Sequence, residues 1–503
     1  MQFKRIISLL LCLLMLVSMT MLASCTSSED ESSADTGSEA EKKGEFLEDY
    51  VTMPEFKWSG EDYEEFHVAI YSNETQATYF CEDVEPNLYS TTDGILNDAV
   101  IRRNNEILNR YGVTIVGDPV NDVAEAIKTD VSSNLKQYDA ALMFMTRAAT
   151  LAQDDYLYDL NGFTEYLHFD QPWWDKYATE SLSIGGKLFF NTGDISIMPK
   201  IVSTAMTFNK EMLKRSFPDV DLYQMVKDKE WTFDKMIEMS REVTADTDGV
   251  AGMTYEDTWG LSSSYGDVSW FFIAGGKNYI TKDNDDIPVI SMGDSASVTA
   301  VQKILENLQL KNEWVFHCDT VQDQSQKWVI SLDVFGQNRA LFRTSAFSAI
   351  KKLRQYDDAD EFGIVPLPLY SKDQDNYYTP CSATMAYGVV IPASLSKNEA
   401  EFSAFMIEAM AFGGMKYINP AYYETTLKYR DLRDDESGEM LDLVFDNVVY
   451  DLGIIYNFGD ISSMITNLMK TNSTAVSSEL ESKQSAIQLA IDNCLDDYGV
   501  EVD

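Results

Sequence analysis

The stretch from residue 66 to residue 145 constrains this chain most, because its hydrophobic spacing switches back and forth between two periods. Phe66-His67-Val68-Ala69-Ile70-Tyr71 is a short apolar run that reads as a buried strand, followed by the polar loop Ser72-Asn73-Glu74-Thr75. Residues 95–111 carry Leu96, Val100, Ile107, Leu108 and Tyr111 at helical spacing, after Asp93-Gly94 and before a stop at Gly112. Val113-Thr114-Ile115-Val116 predicts a second strand, 123–135 a second helix and 138–145 a third strand. Strand, helix, strand, helix, strand is the order of a mostly parallel α/β layer. Ligands of such sheets sit at the carboxyl ends of the strands. That rule puts the loops holding Asn73, Glu74 and Thr146-Arg147 on a candidate binding edge.

A second α/β region follows. Residues 187–190 and 205–208 are strand-like, helices are expected over 233–243 (with Thr232 as N-cap) and 298–308, and Ala340-Leu341-Phe342 leads into a helix over 345–353. Residues 362–368 read as a strand ended by proline, and 387–392 as a strand entering a helix over 399–411. From about residue 421 the pattern turns helical, over 440–449 and 463–495. No internal repeat of fixed period is present.

The N-terminus reads differently. Lys4 and Arg5 precede a run, residues 6–23, without a charged residue, and the run meets Leu22-Ala23-Ser24-Cys25. Positive start, apolar middle and small residues at the cut define a secretory signal, and the alternative is a short membrane anchor. Residues 26–45 are mostly Ser, Thr, Glu, Asp, Ala and Gly, with too little apolar surface to offset their ordering entropy, and are expected to stay disordered. Leu22-Ala23-Ser24-Cys25 resembles the lipobox of bacterial lipoproteins. The resemblance implies a signal peptide over 1–24, a lipidated Cys25, a tether over 25–59 and attachment to the outer face of the cell membrane.

About 440 residues remain for folding, enough for two large lobes or two to three domains. The chain carries 82 Asp+Glu against 39 Lys+Arg, a net charge of −43. Such a surface repels phosphate backbones and anionic headgroups, so nucleic acid is not an expected partner; solubility accounts for the charge. After Cys12 and Cys25, the remaining Cys81, Cys318, Cys381 and Cys494 are scattered without framework spacing. Only His67, His168 and His317 occur, with no His or Cys pair at ligand spacing, and no cofactor or zinc site is expected.

Several passages in order resemble the family 1 extracellular solute-binding proteins, in particular carbohydrate-import lipoproteins of Gram-positive bacteria. They are residues 94–115; Tyr138-Asp139-Ala140 with Leu157-Tyr158-Asp159-Leu160; Gly186-Lys187-Leu188-Phe189-Phe190 then Phe208-Asn209-Lys210-Glu211; Trp231-Thr232-Phe233-Asp234-Lys235; and 362–368. Phe208 stands where the family usually has Tyr. The resemblance implies a two-lobed periplasmic-binding-protein-like α/β fold of type II, with two parallel or mixed sheets joined by crossing hinge strands. Lobe 1 is then expected over 60–192 with 382–415, and lobe 2 over 193–381 with 416–503. It further implies a monomer that encloses solute between the lobes by hinge closure, without cofactor, and hands it to the permease subunits of an ABC importer.

Sugar recognition asks for flat aromatic faces against C–H surfaces and planar polar groups for hydroxyls. Candidates near the expected cleft are Asn73, Glu74, Thr146, Trp173, Asp194, Tyr265, Trp270, Phe347, Tyr456 and Asn457. Trp173 and Trp174 are adjacent and cannot both face one way. Each aromatic is equally suited to a core, and each polar loop residue to solvent. Asp246-Thr247-Asp248-Gly249 begins like a calcium loop, but Val250 and Ala251 break the acidic pattern and position twelve is Asp257 rather than Glu; a polar turn is the preferred reading. The rival functions are a surface glycan-binding or sensor protein without a permease, and a glycoside hydrolase. No Gly-x-Ser-x-Gly elbow, P-loop or Gly-x-Gly-x-x-Gly fingerprint is present, and histidines for general-base work are few. The number of aromatics and the scarcity of candidate cations favour a neutral oligosaccharide over an anionic ligand.

Overall fold

Three parallel strands, β1 (Glu65–Tyr71), β2 (Thr114–Val120) and β3 (Ala140–Phe144), open a computed structural model that describes residues 58, 60, 63–72, 83–86, 94–353, 356, 361–423 and 435–501. Cys25, Cys81, Asn73, Glu74, the signal segment and nearly all of the tether lie outside the described residues. β1 lies between the other two, with Phe66 opposite Ile115 and Val68 opposite Ala140. Helices α1 (Gly94–Tyr111) and α2 (Val123–Ser133) make the crossovers, and α3 (Met145–Gln153) follows β3 directly. The stop after α1 is Gly112 at φ +75°, a left-handed position that favours glycine. Asp122 caps α2 by accepting the Glu125 N–H at 3.2 Å.

A second sheet has the order β10-β4-β9-β5-β8. Its strands are β4 (Thr204–Asn209), β5 (Trp259–Ser263), β8 (Val315–His317), β9 (Ala340–Ala346) and β10 (Phe362–Val365), and the separate hairpin β6–β7 spans Ile280–Lys282 and Pro288–Ile290. β5 pairs in parallel with β8 on one side and β9 on the other, while β4 runs antiparallel to both β9 and β10. Helices α4 (Phe233–Val243), α5 (Asp267–Ala274), α6 (Ser295–Leu308), α7 (Lys327–Gly336) and α8 (Phe347–Leu353) join these strands. Every residue of β4 and β5 is buried, as strands covered on both faces must be. Trp231 is fully buried, its indole donating to the Pro366 carbonyl at 2.9 Å. Burying about 200 Å² of aromatic surface favours folding by roughly 5 kcal/mol.

The chain then returns. β11 (Thr379–Pro380) precedes β12 (Tyr387–Val390), which adds antiparallel to β3 and completes the order β12-β3-β1-β2. α9 (Lys397–Gly413) starts with a capping box between Ser396 and Glu399 and continues as a π-helix over Gly414–Ile418. α10 (Asp435–Phe445), β13 (Val448–Val449), α11 (Ile461–Lys470) and α12 (Val476–Asp497) end the described chain. Among the described residues no helix is long and apolar enough to cross a membrane.

Three expectations need correction. Residues 187–190 form no strand: Gly185 and Gly186, at φ +56° and +75°, make a tight turn bridged by Ile184 and Lys187, after which Phe190 is fully buried. The expected helix over 440–449 ends at Phe445, because Val448 and Val449 pair with Thr379 and Pro380. The long helical stretch over 463–495 breaks between Lys470 and Val476. Cys318, Cys381 and Cys494 are buried and unpaired, and burial pushes the Cys318 and Cys494 thiols up to about 12.

Two buried carboxylates organise polar contacts in the core. Glu408 of α9 accepts the Trp174 indole N–H at 2.8 Å and the His168 backbone N–H at 3.3 Å, with the His168 Nδ1 at 3.1 Å. Burial raises its pKa against these donors. Asp451 accepts the Tyr279 and Ile454 backbone N–H groups at 2.8 and 3.2 Å, yet burial still pushes its carboxyl up to about 7. Glu408→Ala is expected to lower unfolding free energy by about 3 kcal/mol in denaturant titration, since it strands a buried indole N–H, with Glu408→Gln losing less. For Asp451 the folded value lies above the ordinary 3.8, so its stabilising protonation is complete below 3.8 and lost as pH rises through about 7. Asp451→Asn removes that titration, and its stability relative to the parent chain is expected to improve as pH rises through about 7.

Candidate functional site

Main-chain bonds run from the carboxyl end of one sheet to that of the other. Past β3, the Thr146 N–H donates to the Ala383 carbonyl at 3.4 Å, and the Met145 N–H to Ala386 at 3.0 Å. Two residues back, Cys381 bridges antiparallel to Ser203, while the Ser382 N–H donates to Val202 at 3.3 Å. Ser203 leads into β4, where Thr204 lies opposite Ala346 at the end of β9, and the Phe347 N–H donates to the Ser203 carbonyl at 3.4 Å. The end of β3 therefore meets the connecting segment 379–386, the end of β9 meets the connecting segment 191–203, and the two segments bridge to each other. These segments form a floor shared by both sheets, and open-sheet α/β proteins bind ligands at such carboxyl ends.

Glycine fixes the floor from below. The Asp194 N–H donates to the Trp173 carbonyl at 2.8 Å, and Gly193 bridges to Trp174. A Cβ on Gly193 would lie 2.3 Å from the Trp173 carbonyl oxygen, and one on Gly414 only 1.7 Å from the Asp194 carbonyl oxygen. Both obstacles are backbone, so only glycine permits the approach. The π-helical turn that begins at Gly414 is thus pressed onto the first connecting segment.

The sequence-derived candidates fall in distinct environments. Thr146 is half-buried at the floor, its carbonyl accepting the Thr150 hydroxyl at 3.2 Å. The Asp194 carboxylate lies in the floor, paired with Lys200 at 2.8 Å. Trp173 is enclosed, with Phe412 edge-on at 5.4 Å, and so is Phe347, against Phe445 at 4.8 Å. Neither presents a ring face at the surface in this structure. Trp270 is half-buried on α5. Tyr456 stacks on Phe458 and shares a 2.8 Å hydrogen bond with the Tyr498 hydroxyl, while Asn457 is exposed at φ +48°, its side chain accepting from Ser462.

Tyr265 sits on the second sheet's carboxyl rim, half-buried, with its ring 5.2 Å from that of His317. Its N–H donates to Asp319 at 2.7 Å, and the other Asp319 oxygen pairs with Lys327 at 3.0 Å. Beneath the rim, the Arg343 guanidinium is buried and donates to Ser345 and Ser331 at 2.7 and 3.3 Å. Sequence reasoning missed Lys200, Asp319, Lys327 and Arg343. Asp319 follows β8 and Lys327 opens α7, while Lys200 precedes β4 and Arg343 lies inside β9; β5 and β8 are too short and too serine-rich or aromatic to be seen as strands without their partners.

Asp246 and Asp248 approach Asp257, with carboxylate oxygens of all three within 4.8 Å of one another. Asp257 accepts the backbone N–H groups of Thr247, Asp248 and Thr254, and Asp248 accepts Val250 N–H and the Thr254 hydroxyl. Acceptor oxygens of Asp248 and Asp257 thus bond within the turn itself.

Two sheets with their carboxyl ends on one floor define a mixed α/β protein of the type II periplasmic-binding-protein-like class, and solved structures share that fold. A cyclo/maltodextrin-binding protein complexed with maltotetraose is 15% identical, covers 88% of this chain and 98% of its own, and superposes with a TM-score of 0.54. An ABC transporter solute-binding protein from Thermotoga lettingae TMO, bound with alpha-D-tagatose, is 12% identical over 85% of this chain and 100% of its own, with a TM-score of 0.52. The chain belongs to the bacterial extracellular solute-binding protein family, whose sequence model matches residues 101–412. That is a family of binding proteins, which leaves the hydrolase reading without support. Comparison with curated proteins gives no match. Gly414→Ala is expected to destabilise the chain by about 2 kcal/mol in thermal or chemical denaturation, because the added methyl meets a carbonyl that cannot move alone.

Proposed function

We propose that this protein captures a neutral oligosaccharide between its two sheets and delivers it to an ABC importer. The observation that carries the reading is the shared floor: Thr146 bonds to Ala383, Cys381 bridges to Ser203, and Ser203 accepts from Phe347. Residues 60–192 with 382–415 make lobe 1, and 193–381 with 416–503 make lobe 2. The lobes close about the connecting segments, because solute contacts both of them only when they are closed. A permease then reads the closed form. Cleavage before Cys25 and lipidation of its sulfur hold the protein at the outer face of the membrane, with residues 26–59 as tether.

Of the described candidates, Thr146, Asp194, Tyr265, Trp270, Tyr456 and Asn457 keep some exposed surface, and Asn73 and Glu74, outside the described residues, complete the proposed set. Asp194 and Lys200 neutralise each other in the floor at 2.8 Å, which suits an uncharged ligand. The two fold relatives carry maltotetraose and tagatose, which supports a sugar as the solute.

A thermal-shift screen of the purified chain against oligosaccharides, peptides and amino acids tests the proposal. The expected result is a selective shift with one oligosaccharide class and no product by chromatography. A ligand at a hundredfold excess over Kd stabilises the folded state by about 2.7 kcal/mol. A shift with peptides alone sinks the carbohydrate assignment, and product formation sinks the binding-protein reading.

A further inference from the structure

One aromatic that sequence reasoning passed over stands apart. Of the eight tryptophans, all among the described residues, Trp328 alone is exposed, at 54%, and Val329 beside it is exposed at 49%. They occupy the first turn of α7, whose position follows from topology. β8 and β9 both run parallel to β5, so the helix joining them must start at the carboxyl rim and run back to the amino edge. Trp328 is therefore on the same rim as Tyr265.

Its surroundings are ordered before any ligand arrives. The Lys327 ammonium lies 4.9 Å from the centroid of the Trp328 ring and 3.0 Å from Asp319, whose second oxygen accepts the Tyr265 N–H at 2.7 Å. An ammonium this close to an indole is drawn to the ring's negative face. The pair with Asp319 leaves that corner without net charge, while still offering a donor and an acceptor. An apolar ring with a charge-balanced donor and acceptor pair beside it is chemistry that suits a pyranose, flat C–H surface on one side and hydroxyls at its edge.

We propose that Trp328 is a stacking platform for a saccharide ring at the outer rim of the second sheet, with Lys327 and Asp319 hydrogen-bonding its hydroxyls. This rests on the oligosaccharide reading above and extends it to the outer rim of the second sheet. Val329 continues the apolar surface beyond the ring.

The test is calorimetric binding of the full chain to glycan-array hits, with Trp328→Ala and Trp328→Phe compared with the parent chain. The side chain is exposed, so both variants are expected to fold, as parent-like thermal unfolding would show. Trp328→Ala is expected to weaken binding about tenfold, and Trp328→Phe to retain most of the affinity, since a phenyl face still stacks. Parent-like saccharide affinity in Trp328→Ala overturns the platform while leaving the function standing. The same result with lost permease binding also overturns it and reassigns the ring to protein docking. A parent chain that binds no glycan defeats the functional reading, and this one falls with it.

Discussion

Ser203 is the residue on which the two halves of this structure depend. Its backbone bridges to Cys381, its carbonyl accepts from Phe347, and the next residue begins β4. Each of those partners belongs to a different connection between the sheets or to the strand end it serves. Through this meeting point, reinforced by the Ser382 bond to Val202, the carboxyl ends of β3 and β9 share one reference. Both sheets are ordinary α/β layers. Their registration against one another brings two separate edges onto one floor.

The chain is very acidic, yet its interior uses charge sparingly and in fixed places. Glu408 ties α9 to the Trp174 and His168 segment, Asp451 ties the C-terminal helices to Tyr279, and Arg343 stays under the second sheet's rim among serines. Each group makes hydrogen bonds that offset part of its desolvation, and the upward pKa shifts of the two acids show that the offset is incomplete. Such groups specify which segments lie together more than they add stability. The floor follows the same logic, since Asp194 has Lys200 within reach.

Much of the fold was legible in the residues because its signals were local. Apolar spacing and Gly112 gave α1, Thr232 marked the start of α4, and the βαβαβ order gave the first sheet. Elements that exist only through partners were not legible. β5 and β8 are short strands whose pairing with each other makes them strands, and residues 187–190, strand-like in composition, have no strand beside them: Lys187 only bridges back to Ile184 across the Gly185-Gly186 turn. The candidate site was legible to the extent that it follows a strand end, as with Thr146 and Tyr265. Trp173 and Phe347 had the right composition, but whether an aromatic is enclosed depends on Phe412 and Phe445, far away in sequence.

The contact between Gly414 and the Asp194 carbonyl is backbone against backbone, and so are most of the links across the floor. A joint made this way is nearly blind to side-chain identity. Substitutions can accumulate on the helices and rims without altering how the halves meet, provided a few glycines persist. Structures of only 15% and 12% identity share this fold. Such a joint also separates two roles in one chain: a backbone frame that sets how the halves meet, and side chains on the rims that leave that frame untouched.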